Sequence, residues 1–433
     1  MAKLQAIRGM NDILPDQSLS WQYLESVFQR IVKRFGYQEI RFPIMERTEL
    51  FKRSIGEVTD IVEKEMYTFD DRNGDSVSMR PEGTAGCVRA ANQHGLLYNQ
   101  QQRLWYSGPM FRHERPQKGR YRQFHQFGVE AFGIAGPDID AEILQLSATL
   151  WKELSLSEFL TLEINNIGNA EDRKRYGLAL TKFLKSKAGQ LDEDARNRML
   201  TNPMRVLESK IPEVQEALEG CPNLQEFVSE KSQEHYLKLQ SLLTRANIPF
   251  IENAHLVRGL DYYNYCVYEW TTESLGAQGA VCGGGRYDGL VEMLGGKPTL
   301  AAGFAIGAER LVLMLDSLGK IPKEAHNPAD VYVLVVGVNL AEQALELVQR
   351  IRTEYPQLAV VLHCGGGKYN SQLKKAFSSG ARFAVVLERE ETGSDDLKNV
   401  KIRRLLEDSA VSETVEITNI LPKLGEFLQN SDG

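Results

Sequence analysis

Cysteine is scarce in this chain, and no two of its cysteines form a metal-binding pair. Cys87, Cys221, Cys266, Cys282 and Cys364 are scattered, odd in number and without a Cys-x-x-Cys spacing. That excludes a disulfide framework and a zinc knuckle, and it fits a reducing cytoplasm. Long apolar runs are missing too: no stretch of about 18 apolar residues is present, so no membrane span is expected. The start, Met1-Ala2-Lys3-Leu4-Gln5-Ala6-Ile7-Arg8-Gly9, lacks the apolar core of a signal peptide. Nor is there an excess of positive charge. The net charge is −7, so any nucleic-acid contact has to come from local basic patches. Internal repeats and low-complexity tracts are absent. What remains is a chain of 433 residues with ordinary charged and apolar fractions, long enough for roughly three domains and a sizeable core.

Against this plain background one stretch stands out, Phe111-Arg112-His113-Glu114-Arg115-Pro116-Gln117-Lys118-Gly119-Arg120-Tyr121-Arg122-Gln123-Phe124-His125-Gln126. An apolar strand pattern, Leu104-Trp105-Tyr106, enters it, and a second, Phe124 to Val129, leaves it. Pro116 and Gly119 mark the turn between them. Guanidinium forks match phosphate oxygens, and the interleaved aromatics offer faces on which a base can stack. The alternative is a solvated basic hairpin.

Upstream, apolar residues at helical spacing from Asp16 to Phe35 (Trp21, Leu24, Phe28, Ile31, Val32) predict a helix stopped at Gly36. A strand, Tyr37 to Phe42, is closed by Pro43. This pair either packs on the core or forms a subunit interface, since an exposed strand edge invites pairing. Met66 to Met79 reads as a hairpin turning at Asn73-Gly74. It leads to Arg80-Pro81-Glu82-Gly83-Thr84, a strand-to-helix junction where ligand-binding polar groups are common. Thr84 has two readings there, ligand contact or helix cap.

Downstream, a helix from Ile139 to Leu154 and a strand from Phe159 to Ile164 precede charged helical segments broken at Pro203, Pro212 and Pro222. Residues 169–245 are therefore expected to be a helical insertion. Strands resume near Phe250. Leu256-Val257-Arg258-Gly259-Leu260-Asp261-Tyr262-Tyr263 places an arginine and two tyrosines in an apolar strand region. Cys282-Gly283-Gly284-Gly285-Arg286-Tyr287-Asp288-Gly289-Leu290 reads as a glycine-rich turn, without the ending of a P-loop or the spacing of a dinucleotide fingerprint. Gly303 to Leu311 runs as a strand into a helix that brings Arg310 near its start. Ile321 to Asp330, with Pro322, His326, Asn327 and Pro328, looks like a linker. Beyond it, βαβαβ alternation (Val331–Val336, Ala341–Arg352, Leu358–Leu362, Gln372–Phe377, Arg382–Leu387), two short strands and a helix at Leu421–Leu428 predict a small α/β domain with a parallel or mixed sheet. Its balanced charges identify no ligand.

Taken together, these clusters resemble the class II aminoacyl-tRNA synthetases, and within them the bacterial-type histidyl-tRNA synthetase family, over nearly the whole chain. Asp16 through Pro43 is similar to the first family motif. Phe111-Arg112-His113-Glu114 followed by Arg120-Tyr121-Arg122-Gln123-Phe124 is similar to the second, and Gly303 to Arg310 to the third. Leu256 to Tyr263 and Gly284-Gly285-Arg286-Tyr287-Asp288 match two histidine-specific segments.

The resemblance implies an α+β catalytic domain with a mixed, largely antiparallel sheet over residues 1–325, interrupted by the 169–245 insertion. It implies an α/β anticodon-binding domain over 330–433. It also implies ATP-dependent ligation of L-histidine to tRNA(His) through a histidyl-adenylate, by a cytoplasmic homodimer. ATP is a substrate, Mg²⁺ accompanies its phosphates, and no protein metal site is expected. Arg258 and Arg112 become the catalytic residues. Glu82, Gly83, Thr84, Arg112, Gln126, Glu130, Arg258, Tyr262 and Tyr263 are assigned to histidine. Arg112, Glu114, Arg120, Phe124 and Arg310 are assigned to ATP. Two readings stay open beside these, Tyr262 as core packing and Glu114 as a salt-bridge partner. The competing function is a catalytically inactive, histidine-sensing regulatory paralogue, whose kind lacks the C-terminal domain and loses catalytic arginines.

Overall fold

Helix α1 (Pro15–Arg34) follows the apolar spacing, with Leu24, Val27, Phe28, Ile31 and Val32 buried. It closes on Gly36 at φ +77°: the Tyr37 N–H donates to the Val32 carbonyl at 3.0 Å and the Gly36 N–H to Lys33 at 3.1 Å. Only a residue tolerant of left-handed φ closes a helix this way. The computed structural model describes residues 3–56, 59–209, 211–260, 262–276, 279–322, 325, 328–389, 398–405 and 412–429. Asp261, His326 and Asn327 of the sequence reading lie outside them. Packing divides the chain into two units, Met1–Ile13 with Leu24–Lys320 and Leu14–Tyr23 with Ile321–Gly433.

In the first unit, β1 (Gln38–Glu39) is shorter than the expected Tyr37–Phe42. The Phe42 carbonyl accepts from the Arg80 guanidinium at 3.0 Å, so it is not free to extend a ladder. Next come β2 (Met45–Arg47), α2 (Thr48–Ile55), β3 (Thr68–Asp70) and β4 (Ser76–Met79), the strands forming a small sheet in the order β2-β4-β3. The Asn73-Gly74 hairpin is real but loops over Asp71–Asp75. Its Asp71 carboxylate accepts from the N–H groups of Asn73 (2.8 Å) and Asp75 (3.0 Å).

After α3 (Thr84–Gln93), the elements that build the large sheet are β5 (Gln102–Phe111), β6 (Gln123–Phe132), α4 (Pro137–Glu153) and β7 (Thr161–Gly168). Four helices follow, α5 (Ala170–Ser186), α6 (Glu193–Thr201), α7 (Pro212–Ala217) and α8 (Glu230–Arg245). The unit ends with β8 (Ile251–Glu252), β9 (Asn264–Thr271), β10 (Ala280–Arg286), α9 (Leu290–Met293), β11 (Ala301–Gly307) and α10 (Ala308–Ser317). The sheet has eight strands in the order β1-β5-β6-β11-β10-β9-β7-β8. Its inner pairs are antiparallel, while β1 and β8 add in parallel at the two edges. A mixed, largely antiparallel sheet is therefore what the chain folds into.

Three local readings are corrected here. The glycine run is not a turn: Gly283, Gly284 and Gly285 lie within β10, paired on both sides by β9 and β11. A β-carbon on Gly284 would sit 2.1 Å from the Gly303 carbonyl oxygen, so the glycines let neighbouring groups approach closely. Leu256–Leu260 is not strand but irregular, and Tyr262 and Tyr263 lie outside β9 as well. Finally, α8 stays tied to α5, where the Ser232 hydroxyl donates to Asp172 at 3.3 Å, but it also lies against β7 and α4. There the Ser232 carbonyl accepts from Asn166 at 3.1 Å, and His235 faces Asp140 at 3.1 Å. Helical periodicity shows that a face is apolar, not which surface covers it.

The second unit carries β12 (Val331–Val336), α11 (Ala341–Glu354), β13 (Val360–Leu362), α12 (Tyr369–Ser378), β14 (Phe383–Glu388), β15 (Asn399–Arg404), β16 (Ser412–Glu416) and α13 (Ile420–Gln429). Its sheet runs β13-β12-β14-β15-β16, parallel over the first three strands and antiparallel after them. Val331, Val333, Leu347, Ile351, Phe383, Val385 and Phe427 fill the core on one face.

Candidate active site

The loop between β5 and β6, the start of α3, the 256–263 loop, β10 and the β11–α10 junction enclose a cleft of about 310 Å³. Eleven of the residues singled out in the sequence line it: Glu82, Thr84, Arg112, Glu114, Arg120, Phe124, Gln126, Arg258, Tyr262, Tyr263 and Arg310. Gly83 and Glu130 do not. Gly83 sits behind the wall, where a β-carbon would collide with the Tyr106 ring at 2.1 Å.

The guanidinium groups converge. Arg112 donates to the Pro81 carbonyl at 2.8 Å, and its guanidinium lies 5.3 Å from the centre of the Phe124 ring. Arg120 pairs with Glu114 and lies 3.9 Å from Glu65. Arg310 donates to the carbonyls of Gly119 (3.2 Å) and Ala280. Arg258 pairs with Glu269 on β9, beside the bare face of Gly283, where a β-carbon would fall within 2.5 Å of the guanidinium. Burial, and then the charges of Arg120, Arg112 and Arg258, pull Arg310 below the usual guanidinium range. Burial lowers Arg112 in the same sense. Four cations in one partly desolvated cleft make a site for a multiply charged anion.

At the other end the cleft is neutral to acidic. The Glu82 carboxylate accepts from the backbone N–H groups of Thr84 (2.6 Å) and Ala85 (3.0 Å), so Glu82 rather than Thr84 satisfies the start of α3. The Thr84 hydroxyl instead donates to Glu130 at 2.8 Å. Glu130 also accepts from the hydroxyls of Tyr106 (3.2 Å) and Tyr287. Burial raises it to about 8, against the lowering effect of these hydroxyls. Gly303 makes this arrangement possible, since a β-carbon there would fall 1.9 Å from a Glu130 oxygen. Tyr262 and Tyr263 stack obliquely with ring centres 4.8 Å apart, and burial pushes Tyr263 up to about 12. Two buried atoms of the cleft, Gln126 Oε1 and Arg258 Nε, have no partner among the described residues. A buried polar atom without a partner is costly, and a ligand that completes it recovers that cost.

The remaining motif residues are structural. Arg286 is buried between Asp140 (2.9 Å) and Asp288 (3.1 Å), away from the cleft. Burial raises Asp140, but His235 and Arg286 outweigh it and hold the carboxyl below the usual range. Sequence reading missed Glu309, which lines the cleft and accepts from the His125 N–H at 2.9 Å and faces its ring nitrogen at 3.0 Å. It missed Glu269 as well, and it named Tyr106 and Tyr287 within a strand pattern and a matched segment without giving them a role. Tyr106 and Tyr287 meet Glu130 only across the folded sheet, so no local pattern reveals that contact.

A sequence model of the family described as histidyl-tRNA synthetase matches residues 9–311. The chain belongs to the histidyl-tRNA synthetase family. A Marinomonas sp. protein named histidine–tRNA ligase is 58% identical over 389 residues, 90% of this chain and 92% of its own. Among solved structures, the apo histidyl-tRNA synthetase of S. aureus is 32% identical with a TM-score of 0.79, covering 97% of this chain and 99% of that one. A Bacillus halodurans structure described as an ATP phosphoribosyltransferase regulatory subunit/histidyl-tRNA synthetase has a TM-score of 0.64 at 21% identity, over 90% of this chain and all of that one, which is a likeness of fold. Among the described residues no helix is long and apolar enough to cross a membrane. No group of three His, Cys, Asp or Glu among them is arranged to hold a metal.

Proposed function

We propose that this chain ligates L-histidine to its cognate tRNA in two steps at the cleft just described. In the first, a histidine carboxylate oxygen attacks the α-phosphorus of ATP, the bond to the bridging oxygen breaks, and pyrophosphate leaves. In the second, a hydroxyl of the terminal tRNA ribose attacks the adenylate carbonyl and AMP leaves. The carrying observation is the convergence of Arg112, Arg120, Arg258 and Arg310 on one cleft whose far end holds Glu82, Gln126 and two tyrosines.

Displacement at phosphorus spreads charge over the phosphate oxygens, so catalysis rests on positioning and charge stabilisation. Arg112 and Arg258 act on the α-phosphate, and Arg120 and Arg310 on the outer phosphates. Phe124 supplies the face for adenine. Glu114 keeps Arg120 in place and lines the ATP end, so its salt bridge and its site position are one role. Glu82, with Gly83 behind it, Thr84 and Gln126 receive the α-amino end of histidine. Tyr262 and Tyr263, backed by Glu130, are assigned to the imidazole. A pocket that pairs both ring nitrogens rejects apolar isosteres, which leave its polar groups unsatisfied. Glu114 and Glu309 line the cleft and would hold a Mg²⁺ arriving with ATP, which would supply charge neutralisation at the outer phosphates.

The reading extends to the whole chain as a cytoplasmic homodimer, with the motif-one region at the subunit interface. The 330–433 α/β domain takes the anticodon and the helical insertion the acceptor arm. A histidine-sensing paralogue without activity is not favoured, because all four arginines are present and gathered. The test is histidine-dependent exchange of labelled pyrophosphate into ATP. Robust exchange is expected, and none from folded protein with Mg²⁺ would sink the reading.

A further inference from the structure

Arg258 enters the cleft from an irregular loop whose ends are anchored by buried side chains, Leu256 and Val257 before it and Tyr262 and Tyr263 after it. Residues 256–260 run irregularly, and Gly259, next to Arg258, has no atom within 4 Å of where a β-carbon would be. At the start of the loop the Asn165 side chain donates to the Leu256 carbonyl at 2.9 Å. At its middle the hold comes from the helical insertion. The guanidinium of Arg205, on the short helical turn Pro203–Glu208, donates to the Gly259 carbonyl at 2.8 Å. Arg205 is only 8% exposed. Burying a guanidinium is unfavourable unless it is hydrogen-bonded, and packing alone would be better served by an apolar side chain. Beside this contact lies a groove of about 410 Å³, lined by Met204, Arg205, Val257, Leu260 and Tyr263 among others. Apolar packing holds the two ends of the loop, while at Gly259, where the β-carbon side is open, a directed hydrogen bond carries the alignment.

A second tether reaches the opposite side of the cleft. Arg198 on α6 lies 3.4 Å from Asp60, which begins the wide helical turn Ile61–Glu65. At the end of that turn the Glu65 carbonyl accepts from the His113 N–H at 2.6 Å, and its carboxylate lies 3.9 Å from Arg120.

We propose that Arg205 is a positioning residue for adenylation: its hydrogen bond to Gly259 aligns the loop that carries Arg258, and thereby ties the placement of the helical insertion to the chemistry. This rests on the ligase reading above. It adds that the insertion serves the first, tRNA-independent step as well as the second.

The test is pyrophosphate exchange by the full-length protein. Arg205→Ala lowers turnover by about tenfold or more, since misplacing a catalytic group by about 1 Å can cost a hundredfold. The KM for histidine changes less than turnover does. Arg205→Lys, which keeps a donor without the planar fork, recovers part of the loss. The deciding readout is a double-mutant cycle with Arg258→Lys, chosen because it keeps the positive charge without the planar fork. If Arg205 acts through Arg258, the two losses are markedly less than additive; a merely structural arginine gives additive losses. Additive losses, or unchanged turnover in Arg205→Ala, overturn the proposal. Should Arg205→Ala not fold, Arg205→Gln takes its place in the same cycle with the same two outcomes. Wild-type protein without exchange defeats the ligase reading itself, whereas normal exchange in both wild type and Arg205→Ala defeats only the positioning role.

Discussion

Glu130 sits where a carboxylate is least at home, buried beneath Thr84 and ringed by hydroxyls. Its folded value of about 8 lies above the ordinary 4.5, so between these pH values the folded state holds a proton that the unfolded chain has released. Its contribution to stability is complete below about pH 4.5 and is lost as pH rises through about 8. Wild-type protein should therefore melt at a clearly lower temperature at pH 9 than at pH 6, and Glu130→Gln should lose less over that interval. Glu82 is raised in the same direction by burial, so the comparison between the two proteins carries the result. Parallel pH profiles would remove Glu130 from this role. The sequence shows Glu130 only as an acid six residues beyond Phe124. Its neighbours Tyr106 on β5, Tyr287 just past the end of β10 and the vacant face of Gly303 on β11 lie far apart in the chain, so its protonation is a property of the assembled sheet.

At the scale of elements, β10 is where reading the chain and seeing it folded diverge most. Glycines in a row signal a turn when considered locally, because each is free in φ. Here the reason for glycine is the absence of a side chain, and it differs from one position to the next. On Gly283 a β-carbon would meet the tip of the Arg258 side chain at 2.4 Å; on Gly284 it would meet main-chain atoms of β11. Gly283→Ala should thus keep the fold, displace Arg258 and lower pyrophosphate exchange roughly tenfold or more. Gly284→Ala should destabilise the protein by about 1–3 kcal/mol, as overpacked cores do. Full activity in Gly283→Ala, alongside a normal melting curve, would show that Arg258 has room to spare. Other elements were plain in the sequence for opposite reasons. The α1 stop at Gly36, the β5–β6 hairpin and the βαβαβ order of the second unit depend on neighbours close in the chain, which periodicity and turn chemistry report well.

For the molecule as a whole, the motif-one region leaves β1 as a two-residue edge strand with exposed side chains; Ile44 and Met45, which follow it, and Phe69 on β3 are also exposed. Edges and apolar residues of this kind are normally covered. Sedimentation should accordingly find a dimer, and a clean monomer at micromolar concentration would contradict the assignment of this region to an interface. The division near Lys320 was foreshadowed by the Pro-rich stretch from Ile321 to Asp330. The placement of α8 was not, because its apolar stripe suits the face of a sheet as well as a helical bundle.

The bare floor of the cleft also limits how this enzyme can change. A side chain cannot be added at Gly283, which lines the cleft, without meeting the Arg258 guanidinium, nor at Gly303 without meeting Glu130, so substitution has little access to the pocket from below. Altered amino-acid preference must then arise from the tyrosines, Gln126 and the loop-borne arginines above it. Those walls can recede by mutation far more easily than the floor can rise. Single substitutions are therefore expected to widen the pocket, and a narrower one requires the loops to be rebuilt.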